Sequence, residues 1–169
     1  MRSKNRRKQH ERYFWPDPGR GDIIWGCSQE EAPAPEGEVH RVTLKGTVVE
    51  MQDAAQPVLE KLGEAVNVQK IPSCAFDGVE TTYFYGSFYL TTYPGEAGEV
   101  IGSVWFVDDS LATGEGVRIG DSREAVEDAY PGLTVSGDNA VEILRGNTKL
   151  VILLAEDRVS SIQYQLQME

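Results

Sequence analysis

Apolar and polar side chains alternate through Ser161-Ile162-Gln163-Tyr164-Gln165-Leu166-Gln167. This is the two-residue period of a strand with one face on a core and the other toward water. Shorter runs of strand-forming residues predict further strands at Val42–Leu44 and Val48–Met51, then at Val66–Phe76, Glu80–Tyr85, Phe88–Tyr93 and Val100–Val107. Four more are predicted at Leu133–Val135, Ala140–Arg145, Leu150–Ala155 and Val159–Leu166. Gly86-Ser87 suits a two-residue hairpin turn with glycine first, and Pro94-Gly95 reads as the next turn. Two stretches have a helical period instead. Val58, Leu59 and Leu62 follow Asp53, and Ala125, Val126, Ala129 and Tyr130 follow Asp121. Each aspartate reads as an N-cap, with Gln56 or Glu124 three residues on. Pro57 lies in the first turns, where few amide donors are needed.

The same order of elements occurs twice, so a duplicated unit is the first organising idea. The expected fold is α+β: two tandem helix-plus-four-strand antiparallel units sharing a sheet, with the helices packed on one face. Residues 1–26 read as a basic tail or a defective signal-like segment. Residues 27–41 read as a flexible acidic Pro/Ala linker, 42–113 as the first unit and 114–169 as the second.

Alternation assigns the faces. Ile162, Tyr164 and Leu166 point to the helices and the glutamines to water. By the repeat, Val104 matches Ile162 and Phe106 matches Tyr164, so Trp105 takes the water-side place of Gln163. A two-residue turn puts Tyr83, Tyr85, Phe88 and Leu90 on one face and Phe84, Tyr89, Thr91 and Tyr93 on the other. Lys149 falls where Tyr89 does and favours an open position for that set; Arg145 falls where Tyr85 does and argues the other way. The candidate binding residues are therefore Phe84, Tyr89, Tyr93 and Trp105. An exposed aromatic cluster of this size marks a recognition surface. The competing reading is a sheet stiffened by cross-strand pairs, or a face covered by a loop or by the basic tail.

Charge and missing chemistry narrow the classes. The 169 residues carry a net charge of -11. That argues against nucleic acid and anionic membrane surfaces as partners of the folded part. The first twenty residues are basic, with Arg2, Lys4, Arg6, Arg7, Lys8, Arg12 and Arg20, and Ser28–Glu38 is an acidic Pro/Ala stretch. No run is long and apolar enough to span a membrane. His10 and His40 are the two histidines, both in or beside the tail. The folded part thus offers no histidine base or metal ligand, and a Ser-His-Asp triad is not expected. Cys27 and Cys74 make no zinc spacing; Cys74 reads as a small buried residue in a strand, and a Cys27–Cys74 disulfide is one alternative. No cofactor is implied. Asp108, Asp109 and Glu115 offer carboxylates for calcium, weighed against a solvated turn with Asp109 capping backbone.

Two features together resemble a known family. One is the doubled helix-and-meander order. The other is Ile119-Gly120-Asp121-Ser122 opening a helix that continues to Val126. These look like the beta-lactamase-inhibitory-protein-like fold, which is also similar to small outer-membrane assembly lipoproteins. Ser73-Cys74-Ala75-Phe76-Asp77-Gly78, with Tyr83-x-Tyr85-Gly86-x-Phe88-x-Leu90-Thr91-Thr92-Tyr93-Pro94, is similar to Gram-positive surface lipoproteins of that fold. The resemblance covers roughly Val42 to Gln167. It implies a saddle of antiparallel sheet that binds another protein and does no catalysis. It also implies lipidation of Cys27, at the Gly26-Cys27 junction before the polar linker. Trp25 and the missing upstream apolar segment depart from that pattern.

The resulting expectation is a non-enzymatic extracytoplasmic module, secreted or held at the membrane by a lipid anchor, that binds an unknown protein or peptide on its sheet face. The alternatives are a cell-wall glycan or small-molecule binder using the same aromatics, a hydrolase using carboxylates alone, and a structural module.

Overall fold

The computed structural model describes residues 39–73, 78–135 and 139–167. The chain opens with a hairpin of β1 (Arg41–Leu44) and β2 (Thr47–Glu50), followed by α1 (Ala55–Leu62). Then come β3 (Asn67–Pro72), β4 (Val79–Phe84), β5 (Phe88–Gly95) and β6 (Gly98–Phe106). After α2 (Arg123–Ala129) follow β7 (Thr134–Val135), β8 (Ala140–Arg145), β9 (Thr148–Ala155) and β10 (Arg158–Leu166). One antiparallel sheet takes eight strands in the order β3-β4-β5-β6-β10-β9-β8-β7, while β1 and β2 pair only with each other. The last strands of the two halves meet in the middle, Trp105 opposite Gln163 and Val104 opposite Tyr164.

The α+β expectation of two tandem helix-plus-four-strand units is overturned. Strand takes 52% of the described residues and helix 12%. The fold is mostly β, and a single sheet runs through both stretches. The physical reason lies in the helices. Each is about two turns long, and α2 buries only Val126. Helices this short do not form a covering layer. The cover comes also from the β1–β2 hairpin, with Val42, Leu44 and Val49, and from Met51 just after it. Against them, and against Ala55, Val58 and Leu62 of α1, packs the inner face of the sheet: Phe88, Leu90, Val104, Phe106, Leu150, Ile152, Ile162 and Tyr164. Full burial of each such apolar side chain contributes about 1.5–3 kcal/mol.

Both aspartate caps also need correction. Asp53 Oδ2 accepts from the Glu50 amide at 2.9 Å, and Asp121 Oδ2 accepts from the Arg118 amide at 2.7 Å. Each closes the turn before its helix. The residue at the N-cap of α1 is Ala54, with no side-chain bond, and at α2 it is Ser122, whose Oγ accepts from Ala125 N. Pro94 and Gly95 lie in β5, paired with Glu99 and Gly98, so the turn falls at Glu96-Ala97. The Gly86-Ser87 turn is present. Tyr85 N donates to Phe88 O at 3.0 Å, and Gly86 takes a φ of 93° that suits glycine.

His40 and Arg41, expected in the linker, belong to the fold. His40 is 1% exposed and shares a face with Val42 and Leu44. The expectations for residues 1–38, Cys27 among them, and for Cys74 lie outside the described residues.

Candidate functional site

The outer face of the sheet is built by register. Asn67, Phe84, Tyr89, Trp105, Gln163, Val151 and Glu142 pair in turn across seven strands and form one row on one face. The next row holds Gln69, Thr82, Thr91, Ser103, Gln165, Lys149 and Leu144. Of the two charges in these rows, Lys149 Nζ lies 3.4 Å from Glu142. The remainder is aromatic, aliphatic, hydroxyl or amide.

Three of the four expected site residues lie side by side. The Phe84 and Tyr89 rings stack at 4.7 Å, and Tyr89 and Trp105 lie 6.0 Å apart, tilted by 41°. Trp105 is 48% exposed and Tyr89 36%. Trp105 Nε1 donates to Ser161 Oγ at 2.9 Å, which fixes the indole over β10. Tyr93 is on the same face by alternation but stands apart from the row. Its ring lies over Gly102, where a Cβ would meet ring carbons at 2.6 and 2.9 Å. Gly102 is the extra residue of a bulge, since Thr91 pairs with Ser103 and Thr92 with Ile101. Tyr83 and Tyr85 face inward with Phe88 and Leu90; burial holds both phenols above their ordinary pKa, with Glu99 adding to the effect on Tyr83.

The sheet edge offers less. The Ser73 N to Gly78 O bond sets the phase of the β3–β4 ladder, so Val68, Lys70 and Pro72 turn their backbone groups outward. Pro72 has no N–H and Lys70 carries a charge, both features that discourage strand addition.

The carboxylates considered for calcium are not brought together. Asp108 Oδ1 accepts from Ser110 N at 2.9 Å and from Ser110 Oγ, and these bonds hold its carboxyl below the ordinary range. Asp108, rather than Asp109, therefore caps the turn. Glu115 turns away to pair with Arg145. Among the described residues no group of three or more His, Cys, Asp or Glu side chains is placed to hold a metal.

A polar cluster under the opposite face was not foreseen. His40 N donates to Thr148 Oγ1 at 2.9 Å, and His40 Nε2 lies 2.8 Å from Ile143 O. Its ring meets Tyr164 edge-on at 5.6 Å. Burial, joined by the charge of Arg145, lowers the His40 pKa against the opposing effects of Ile143 and Glu115. Beside it sit Glu115, Arg145 and the hydroxyls of Tyr130 and Tyr164. Burial alone would raise Glu115, but Tyr130, Arg145 and the arginine charge outweigh it and hold the carboxyl below its ordinary value. Burial holds both phenols well above theirs. The signal for His40 was present: the alternation His40, Val42, Leu44 extends the β1 period backward by one step.

No family model matches the chain, and no curated protein matches it. Among solved structures, the chain is similar to a cysteine-rich secretory protein from Staphylococcus aureus, at 13% identity and a TM-score of 0.46. That match covers 69% of this chain, and the chain spans 44% of the other's length.

Proposed function

We propose that this chain is a non-enzymatic, extracytoplasmic module that binds a protein or peptide on the outer face of its sheet. Phe84, Tyr89, Tyr93 and Trp105 are the contact residues. One observation carries the reading: a row of aromatic rings stands exposed on the sheet of an acidic chain, and the only charges in its row and the next are the paired Lys149 and Glu142. Partly exposed Trp and Tyr are the side chains that dominate interface energetics. Phe84 and Tyr89 stack on one another, and Trp105, the most exposed of the three, stands tilted beside them. The edge of β3, with Lys70 and Pro72, supports the face rather than strand addition as the docking mode. A lipid anchor at Cys27 would hold the module at the membrane, with two acyl chains giving stable attachment.

The test is a pull-down with the full chain as bait against surface and secreted proteins of the source cell, with Trp105→Ala/Tyr89→Ala as the control. Circular dichroism of the control should match the unaltered chain, because both side chains lie outside the core. A partner captured by the unaltered chain and lost by the control is the expected result. A partner that the control retains would place binding elsewhere.

A further inference from the structure

The turn between the two halves holds Glu115 in surroundings suited to a carboxylate. Its stem is closed by Thr113 N to Val117 O at 2.8 Å, Gly116 N to Thr113 O at 3.0 Å and Val117 N to Thr113 Oγ1 at 3.1 Å. The tip is Gly114-Glu115-Gly116. A Cβ at Gly116 would meet nothing within 4 Å, so little packs against the tip on that side. The Glu115 side chain pairs with the Arg145 guanidinium. Behind it lie two tyrosines, Tyr164 at 1% exposure and Tyr130 at 4%. The Tyr130 hydroxyl approaches Glu115 and Thr113, and the Tyr164 hydroxyl approaches Gly114 and Thr113. These approaches fall short of good hydrogen-bond geometry, so both hydroxyls keep donor capacity beside the carboxylate.

The guanidinium and both phenols can donate, which is the chemistry that recognises a carboxylate. An opening of about 230 Å³ lined by Val39, Arg41, Gly114, Glu115 and Arg145 reaches the guanidinium, with the phenols behind Glu115. It brings two arginines together on a chain of net charge -11. Arg41, at the mouth of the opening, pairs with Glu50. The site lies under the inner face: Arg145 pairs with buried Thr148, on the side of the sheet away from Trp105.

We propose that Arg145, Tyr130 and Tyr164 form a carboxylate-binding site in which Glu115 is a displaceable resident, and that an external carboxylate takes its place at Arg145. The Thr113–Val117 stem stays closed while the glycine-flanked tip swings out. The incoming group enters beside Arg41 and gains a guanidinium with fork geometry. Its source is either a free small acid or the terminal carboxylate of a peptide. The site is separate from the outer face and stands whether or not that face binds a partner.

The test uses the full chain, labelled with nitrogen-15 and followed by amide shifts. The probes are sodium acetate, and a short capped peptide with a free C-terminal carboxylate against its amide. Glu115→Ala should bind acetate at least about tenfold more tightly than the unaltered chain, because the internal competitor is gone. Shifts should centre on Gly114, Tyr130 and Thr148, and Arg145→Ala in the same background should abolish them. Glu115→Gln, which keeps the size of the tip, gives a second reading if the alanine variant does not fold. Tighter binding of the free-carboxylate peptide than of acetate and of the amide identifies a peptide end as the ligand; equal binding of peptide and acetate identifies a small acid. Absence of binding by both Glu115 variants at about 50 mM acetate overturns the proposal, as does binding that survives Arg145→Ala.

Discussion

Trp105 and Gln163 face each other across the middle of the sheet, and the two halves that meet there differ mainly on their outer sides. Their inner sides use the same devices. Gln52 N bonds Ile101 O and Ile101 N bonds Asp53 O in one half; Gly120 N bonds Val159 O and Val159 N bonds Asp121 O in the other. Each last strand carries a bulge, at Gly102 and at Ser160. Phe88 pairs with Phe106 where Leu150 pairs with Tyr164. Outside, one half displays Phe84, Tyr89 and Trp105, and the other displays Leu144, Val151 and Leu153 with the β10 glutamines. The second half forms its ladder without outer aromatics, so the first half's aromatics are not a requirement of the strand geometry. That asymmetry is the strongest physical ground for a recognition role.

The largest expected effects fall where the halves agree. Phe88→Ala should cost about 3–5 kcal/mol of folding stability and Leu150→Ala about 2–5, since both are fully buried and leave a cavity. Urea unfolding of the two variants measures this. A loss below about 1 kcal/mol at either site would mean that the inner faces are not one shared core.

Where the halves differ, binding should change and stability should not. Trp105→Ala with Tyr89→Ala should weaken partner binding by at least about thirtyfold, the scale of one strong hot spot. Gln163→Ala should leave it nearly unchanged. Neither change should lower stability by more than about 1 kcal/mol per cross-strand pair removed. Equal losses of binding from Trp105→Ala and Gln163→Ala, measured against the same captured partner, would erase the distinction between the halves.

His40 sharpens the comparison in another way, because it ties the start of the β1–β2 hairpin to β8, β9 and β10, all in the second half. Its pKa in the folded chain is lowered, and in the unfolded chain it is about 6.5. Above that value both states are neutral and stability does not depend on this group. As pH falls through about 6.5 toward the folded value, the unfolded chain takes up the proton first, and stability declines. Urea melts at pH 7.5 and 5.5 should show the decline in the unaltered chain and a smaller one in His40→Gln. A flat profile in the unaltered chain would mean that His40 is protonated without cost where it sits.

Sequence alone went far on the sheet and less far around it. The alternation in β10 and the two-residue turn at Gly86-Ser87 fixed which residues face out, because a strand permits only two faces. Of the two opposing signals, Lys149 read correctly, since it lies on the outer face with Tyr89; Arg145 misled, since it lies inward with buried Tyr85 and is accommodated at a strand end, where it reaches Glu115. The balance of strand and helix did not read, since periodicity signals that a helix exists more reliably than how much of a layer it covers. His40 reads as linker because the acidic Pro/Ala stretch before it outweighs a short alternation. The Glu115–Arg145 pair joins residues thirty positions apart, and no local pattern carries such a contact.

The smallest effects concern the helix starts, where the same Asp-before-helix pattern has two outcomes. In both, the aspartate bonds backward to an amide three residues earlier, leaving the next residue to serve as cap. Ser122 supplies a hydroxyl to Ala125 N at 3.3 Å, so Ser122→Ala should cost about 0.5–1 kcal/mol. Ala54 supplies nothing, yet α1 tolerates this because Pro57 stands at its third position. Proline there removes one of the amide donors that a cap would satisfy. Ala54→Ser therefore has only the Gln56 amide within reach and should gain at most about 0.5 kcal/mol, less than Ser122→Ala loses. Placing Glu at position 57 restores that donor and provides the partner for a capping box. The Ala54→Ser gain should then approach about 1 kcal/mol when measured in the Pro57→Glu background. An equal gain in both backgrounds, read from paired thermal melts, would mean that the missing amide is not what lets α1 go uncapped.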